Sequence, residues 1–242
     1  MKFQRLPVLG VVVVVALGLS ACGGSSGASP GVAAADPITE LTAAADRLKD
    51  ESMKMKMAMS AGMEAAGAAD TANKKFDMTM KMSMSGETMV MAIRLIGADL
   101  YMRYEGVSGG KWMHVDAAKI PAGSDLNPEN MASADKFISA ATGVTRTGDG
   151  SYRGSLDMTK TPDADQSALK ALGDKAAAVP FTAEVDAQGR LTELVLDMNS
   201  LSPLAGKITT TYYDFGSAVT VQKPPASQVV EMPAEMLASI TA

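Results

Sequence analysis

The chain has few of the side chains that perform covalent and metal chemistry. It holds one histidine, His114, and one cysteine, Cys22, in 242 residues. A single imidazole excludes a His-rich metal site and makes any Ser-His-Asp arrangement depend on His114. That residue falls in a strand pattern beside Trp112, where a packed or half-exposed ring is the ordinary reading. One cysteine excludes an internal disulfide. No G-x-S-x-G, H-E-x-x-H or phosphate-cradling glycine loop occurs, and the carboxylates sit on the polar parity of strands and helices, where they serve solvation. The chain is therefore read as a non-enzyme without a cofactor. Basic excess is lacking too. The formal charge is −5 and becomes −7 when Lys2 and Arg5 leave with a cleaved leader, which makes a nucleic-acid partner a poor fit. Aromatic residues make up 5% of the chain, so volume that Phe or Tyr would fill must come from elsewhere.

It comes from methionine, of which there are 19. From Ser52 to Ile96 methionine recurs at every second position, in SMKMKMAMS, FDMTMKMSMS and ETMVMAIRLI. Met53, Met55, Met57 and Met59 share one parity against Ser52, Lys54, Lys56 and Ser60. Phe76, Met78, Met80, Met82 and Met84 repeat the scheme, and Met89, Met91, Ile93 and Leu95 continue it. A period of two is that of a β-strand, so this stretch reads as three antiparallel strands with one thioether-lined face.

Residues 1–21 carry Lys2 and Arg5, an apolar run from Leu6 to Leu19 and no acid, which is a signal-peptide pattern. The run ends in Leu19-Ser20-Ala21-Cys22-Gly23, a match to the bacterial lipobox, whose cysteine receives a diacylglyceryl group. Two acyl chains hold a protein at a bilayer, whereas one is marginal. The alternative is a free thiol next to an ordinary cleavage site after Ala21. Residues 22–37, rich in Gly, Ser, Ala and Pro, read as the lipidated N-terminus and a flexible tether of roughly 20 Å reach. Residues 38–242 suit a single domain. The expected location is the extracytoplasmic face of the cell membrane.

Pro37 to Asp50 has helical spacing in Ile38, Leu41, Ala45 and Leu48. Ala65 to Thr71 is a small-residue connection with no assigned conformation, and Asn73 opens the second methionine strand. Hairpin turns are expected at Ser85-Gly86, Gly97-Ala98, Gly148-Asp149-Gly150 and Ala187-Gln188-Gly189, with helices over 130–142 and 163–173. Lys207 to Phe215 reads as the last long strand, Pro224-Pro225 blocks ladder pairing, and 233–239 closes with a turn or two of helix. Nine or ten short antiparallel strands with two or three helices make the class α+β.

Three uses of the methionine face remain open on these residues. It can be a closed core filled by soft, unbranched side chains. It can bind Cu(I), for which thioether sulfur is a suitable soft ligand, if sulfurs converge across strands. Or it can wall a pliable apolar cavity for acyl chains.

The order of signal peptide, Cys22, tether, amphipathic helix and long strands resembles the actinobacterial LppX/LprAFG lipoproteins. So do GGKWMHVD (Gly109 to Asp116) and TTYYDFGSAVTVQKP (Thr210 to Pro224), over nearly the whole mature chain. Lys111-Trp112 and Tyr213-Asp214-Phe215-Gly216 carry most of the likeness. It implies a LolA/LolB-type half-barrel: a strongly curved antiparallel sheet with helices over its concave side, carrying a lipid or glycolipid through the envelope. It also implies a monomer that works at the membrane with an envelope transporter as partner. This chain differs in using methionine where that family has branched aliphatics. The expected cavity lining is Met55, Met57, Met80, Met82, Met91, Ile93, Met102, Leu156 and Leu196.

Overall fold

The computed structural model describes residues 35–60, 62–84, 86–106, 108–121, 124, 127, 134–160, 172–202 and 205–241. Cys22, the leader and most of the tether lie outside them, as does the helix expected over 163–173 apart from its last two residues. Among the described residues no helix is long and apolar enough to cross a membrane.

Helix α1 (Pro37–Asp46) starts where Asp36 caps it, its carboxylate accepting from the Ile38 N–H at 3.3 Å, with Pro37 in the first turn. It tightens into a 3-10 turn over Arg47–Lys49. Leu41, Ala44, Ala45 and Leu48 form one buried stripe at helical spacing.

Two antiparallel meanders follow. The first holds β1 (Met53–Met59), β2 (Met63–Asp70), β3 (Lys75–Met84), β4 (Glu87–Ile96), β5 (Asp99–Tyr104) and β6 (Trp112–Asp116). After the short helix α2 (Asp135–Ser139), the second holds β7 (Ala141–Gly148), β8 (Ser151–Leu156), β9 (Val179–Val185), β10 (Leu191–Asp197) and β11 (Lys207–Tyr213). Pairing of β1 with β11 fuses the meanders into one sheet. A last strand, β12 (Val229–Glu231), joins the β6 edge in parallel, and helix α3 (Ala234–Thr241) ends the described chain. The order is β12-β6-β5-β4-β3-β2-β1-β11-β10-β9-β8-β7, giving a curved, unclosed, mostly antiparallel sheet of twelve strands.

The methionine stretch holds four strands, not three. Of the residues read as a connection, 65–70 belong to β2, which pairs with β1 over 63–69 and with β3 along its whole length, while Thr71 starts the turn. Alanine and glycine have weak strand preference, but a ladder on both sides overrides it. Gly67 has a specific reason to be glycine: a Cβ there would lie 2.4 Å from the Asp77 carbonyl oxygen and 3.1 Å from the Met78 Cα. The strands approach closely at this point, as glycine inside a strand permits. Asn73 belongs to the turn after β2, where its side chain and N–H both donate to Asp70, and β3 begins at Lys75.

Two other boundaries move. The helix expected over 130–142 is limited to Asp135–Ser139 among the described residues, and Ala141 already starts β7. Lys207–Tyr213 is the last long strand, ending two residues before Phe215, and the three-residue β12 follows the Pro224-Pro225 pair. Between them, the segment from Ser217 to Gln228 crosses the outer face. Val219 is buried there, and its carbonyl accepts from the Lys75 ammonium at 3.3 Å. Arg94 donates to the Gln222 carbonyl at 3.1 Å. The chain then turns the β6 edge, so that Met232, Met236 and Leu237 join the core on the inner face.

Candidate functional site: the inner methionine face

In an antiparallel ladder, directly opposed residues lie on the same face. The registers therefore sort the inner face into rows running across the strands. The first is Met53, Ala69, Phe76, Leu95, Leu100 and Val115, all buried. The second is Met55, Gly67, Met78, Ile93, Met102 and Met113. It is buried at its ends and half-buried at Gly67 and Met78. In the third, Met57, Met80, Met91 and Tyr104 are half-buried around a buried Ala65. The fourth is Met59, Met63, Met82 and Met89, with Met82 38% and Met89 55% exposed. Burial thus falls row by row, from a closed end to an open rim of thioethers.

Across β1 and β11 the same face continues through Tyr212, Thr210 and Ile208 to Leu194 and Leu196 of β10. It goes on to Phe181 and Ala183 of β9 and to Tyr152 and Leu156 of β8. Burial pushes the Tyr212 phenol up to about 12, so it stays neutral in this apolar wall.

All nine residues expected to line a cavity fall on this inner face. They do not share one environment. Met55, Ile93, Met102, Leu156 and Leu196 are buried within the packed core. Met57, Met80 and Met91 are half-buried, and Met82 is exposed. Met59, Met78 and Met89, which the alternation already puts on this face, are absent from the expected lining, and Met63 is missed altogether; together they complete the open rows. Met63 was hidden because β2 was not read as a strand; its signal was the period-two set Met63, Ala65, Gly67, Ala69. These small residues make β2 a low floor between the methionines of β1 and β3. Met57 and Met80 stand on either side of Ala65, and Met55 and Met78 on either side of Gly67.

Helix α1 is tied over the second meander by polar contacts at both ends. Glu40 accepts from Arg146 and, at 2.8 Å, from the Tyr152 hydroxyl; these bonds hold its carboxyl below the usual range. Arg47 donates to the Gln188 carbonyl at 2.6 Å. The helix stripe Leu41, Ala44, Ala45 and Leu48 belongs to the same core cluster as Met53, Met55 and the apolar residues of the second meander.

The outer face is polar and organised around Trp112, which is buried with Ala92 and Tyr101. The Arg94 and Arg103 guanidiniums lie 4.6 and 4.8 Å from its ring centroid, and Arg94 also bonds Asp77 at 2.9 Å. His114 sits between Asp99 (2.8 Å) and Glu231 (2.9 Å), joining β5, β6 and β12. Burial would push its pKa down, but the two carboxylates outweigh that and hold it above the ordinary histidine value. The His114 hydrogen bond, with help from Lys223, holds the Asp99 carboxyl low. These contacts are structural: they fasten the strap and β12. Among the described residues no group of three or more His, Cys, Asp or Glu is placed to hold a metal ion.

No family model matches the chain, and no curated protein matches it.

Proposed function

We propose that the protein is a membrane-anchored extracytoplasmic lipoprotein that takes the acyl chains of a lipid or glycolipid against its inner methionine face. It would carry them across the envelope, as a half-barrel of the LolA/LppX kind does. One observation carries this reading: the inner apolar rows are continuous from the buried core to the exposed pair Met82 and Met89, so an apolar surface leads from solvent toward the interior. Methionine suits such a wall because its unbranched thioether repacks around varied shapes. Burying an acyl chain of about sixteen carbons is worth on the order of 10 kcal/mol at about 0.8 per methylene, which makes a sheltered carrier necessary for crossing water. The lipobox and tether support the same reading by keeping the domain near a bilayer.

Native mass spectrometry of the mature chain from a homologous host, with uptake of a fluorescent fatty acid, tests it. Co-purifying lipid and saturable uptake are expected; absence of both overturns the proposal. The alternative, an interaction lipoprotein with a closed core, is favoured by the burial of Met55, Ile93, Met102, Leu156 and Leu196. It predicts no uptake and a stable protein partner in the envelope.

A further inference from the structure

The fourth row has a property that an apolar wall does not require. Met59, Met63, Met82 and Met89 sit on four consecutive strands, each directly opposite the next. The next row adds a second such pair, Met80 opposite Met91. Leucine or isoleucine would make the same rim as apolar, whereas only the thioether adds a soft donor atom.

Reach decides whether those donors can converge. Neighbouring strands are about 4.8 Å apart, so the outer members of three adjacent strands are separated by roughly 9.6 Å. Each sulfur stands roughly 2.8 Å from its Cβ, and a metal–sulfur bond adds about 2.3 Å, so two outer methionines span roughly 10.2 Å through a shared ion. At that span the shared ion would stand only roughly 1.7 Å above the Cβ of the middle strand, so two thioethers on adjacent strands, and not three, can meet one ion.

The surroundings favour a soft, singly charged ion. The cations Lys54, Lys56 and Lys81 belong to the opposite parity and point to the outer face, so no ammonium of these strands shares the row. Carboxylate and imidazole clusters that would select a hard or divalent ion are absent among the described residues. The row is also the accessible one: Met82 and Met89 are exposed, whereas Met53 and Met113 are fully buried.

We propose that the directly opposed pair Met63 and Met82, within the Met59–Met63–Met82–Met89 row, is a two-thioether site for a soft monovalent cation of the Cu(I) type. The site does not depend on the lipid reading. Silver(I), the redox-inert surrogate, is the probe. Native mass spectrometry of the mature protein should show one silver ion per chain. With methionine methyls carbon-13 labelled, signals from Met63 and Met82 should move while those of Met53 and Met113 stay in place. In a Met63→Leu/Met82→Leu variant, which conserves volume, silver affinity should fall at least tenfold. Failure of equimolar silver to bind, shifts confined to other methionines, or undiminished affinity in the folded double variant would each overturn the proposal. Should the variant not fold, the methyl shifts in the natural protein decide alone.

Discussion

At the scale of single residues, identical side chains do different work according to row. Met102 is 1% exposed and lies inside the core, whereas Met89 is 55% exposed at the rim. Met102→Ala should cost about 2–5 kcal/mol, as truncations of buried methionine do, and Met89→Ala about 0.5 kcal/mol or less. Urea denaturation of the two variants checks the contrast. His114 supplies a pH dependence of known sign. Its folded-state pKa is raised, so its contribution is complete below the unfolded value of about 6.5 and is lost as pH rises through the folded value. Asp99, whose pKa is lowered, contributes above about 3.9, and that share is lost as pH falls through its folded value. The melting-temperature gap between the natural protein and His114→Gln should therefore be larger near pH 6 than near pH 9. An NMR titration of the imidazole should have its midpoint above about 6.5, and Asp99→Asn should lower it.

At the scale of elements, β2 holds the lesson. Gly67 lets the strand pass within contact of the Asp77 carbonyl, so Gly67→Val forces β2 and β3 apart; overpacking of this kind costs about 1–3 kcal/mol. Thermal melts measure the loss, and hydrogen exchange should show it concentrated in β2 and β3. The strongly periodic elements were legible in the sequence: the alternation of β1, β3 and β4, the spacing of α1, and the Asp149-Gly150 hairpin. Inward parity was legible as well, because a period of two leaves only one choice of face once Met53 is placed inside. Strand β2 was not legible. Its inward residues are small, and what holds them extended is pairing with both neighbours rather than preference of their own. Strand β12 was hidden for a similar reason: three residues after a Pro-Pro pair become a strand only because the β6 edge is there to receive them. The row-by-row loss of burial has no counterpart in the even alternation, and the distant contacts of Glu40 and Arg47 that tie α1 to the second meander leave no trace in local pattern.

At the scale of the whole molecule, the two faces of the sheet divide the labour. The outer face is fastened by ion pairs, by the guanidiniums around Trp112, and by the Ser217 to Gln228 strap. Trp112, Tyr213 and Asp214 belong to that fastening, whereas Phe215 packs against the inner core. Asp214 pairs with Lys54 at 2.8 Å, and Phe215 lies 4.4 Å from the Arg190 guanidinium. Among the described residues the inner face carries no such ion pairs along its open rows, and it is the face on which the proposed ligand would sit. The direct test is photolabelling of the mature protein with a diazirine fatty acid, followed by mapping of the labelled positions by mass spectrometry. The account predicts labels on Met57, Met80, Met82 and Met91, suppressed by excess unlabelled fatty acid. Labels confined to the outer-face residues Lys54, Lys56 and Lys81, or no labelling that excess fatty acid suppresses, would contradict it.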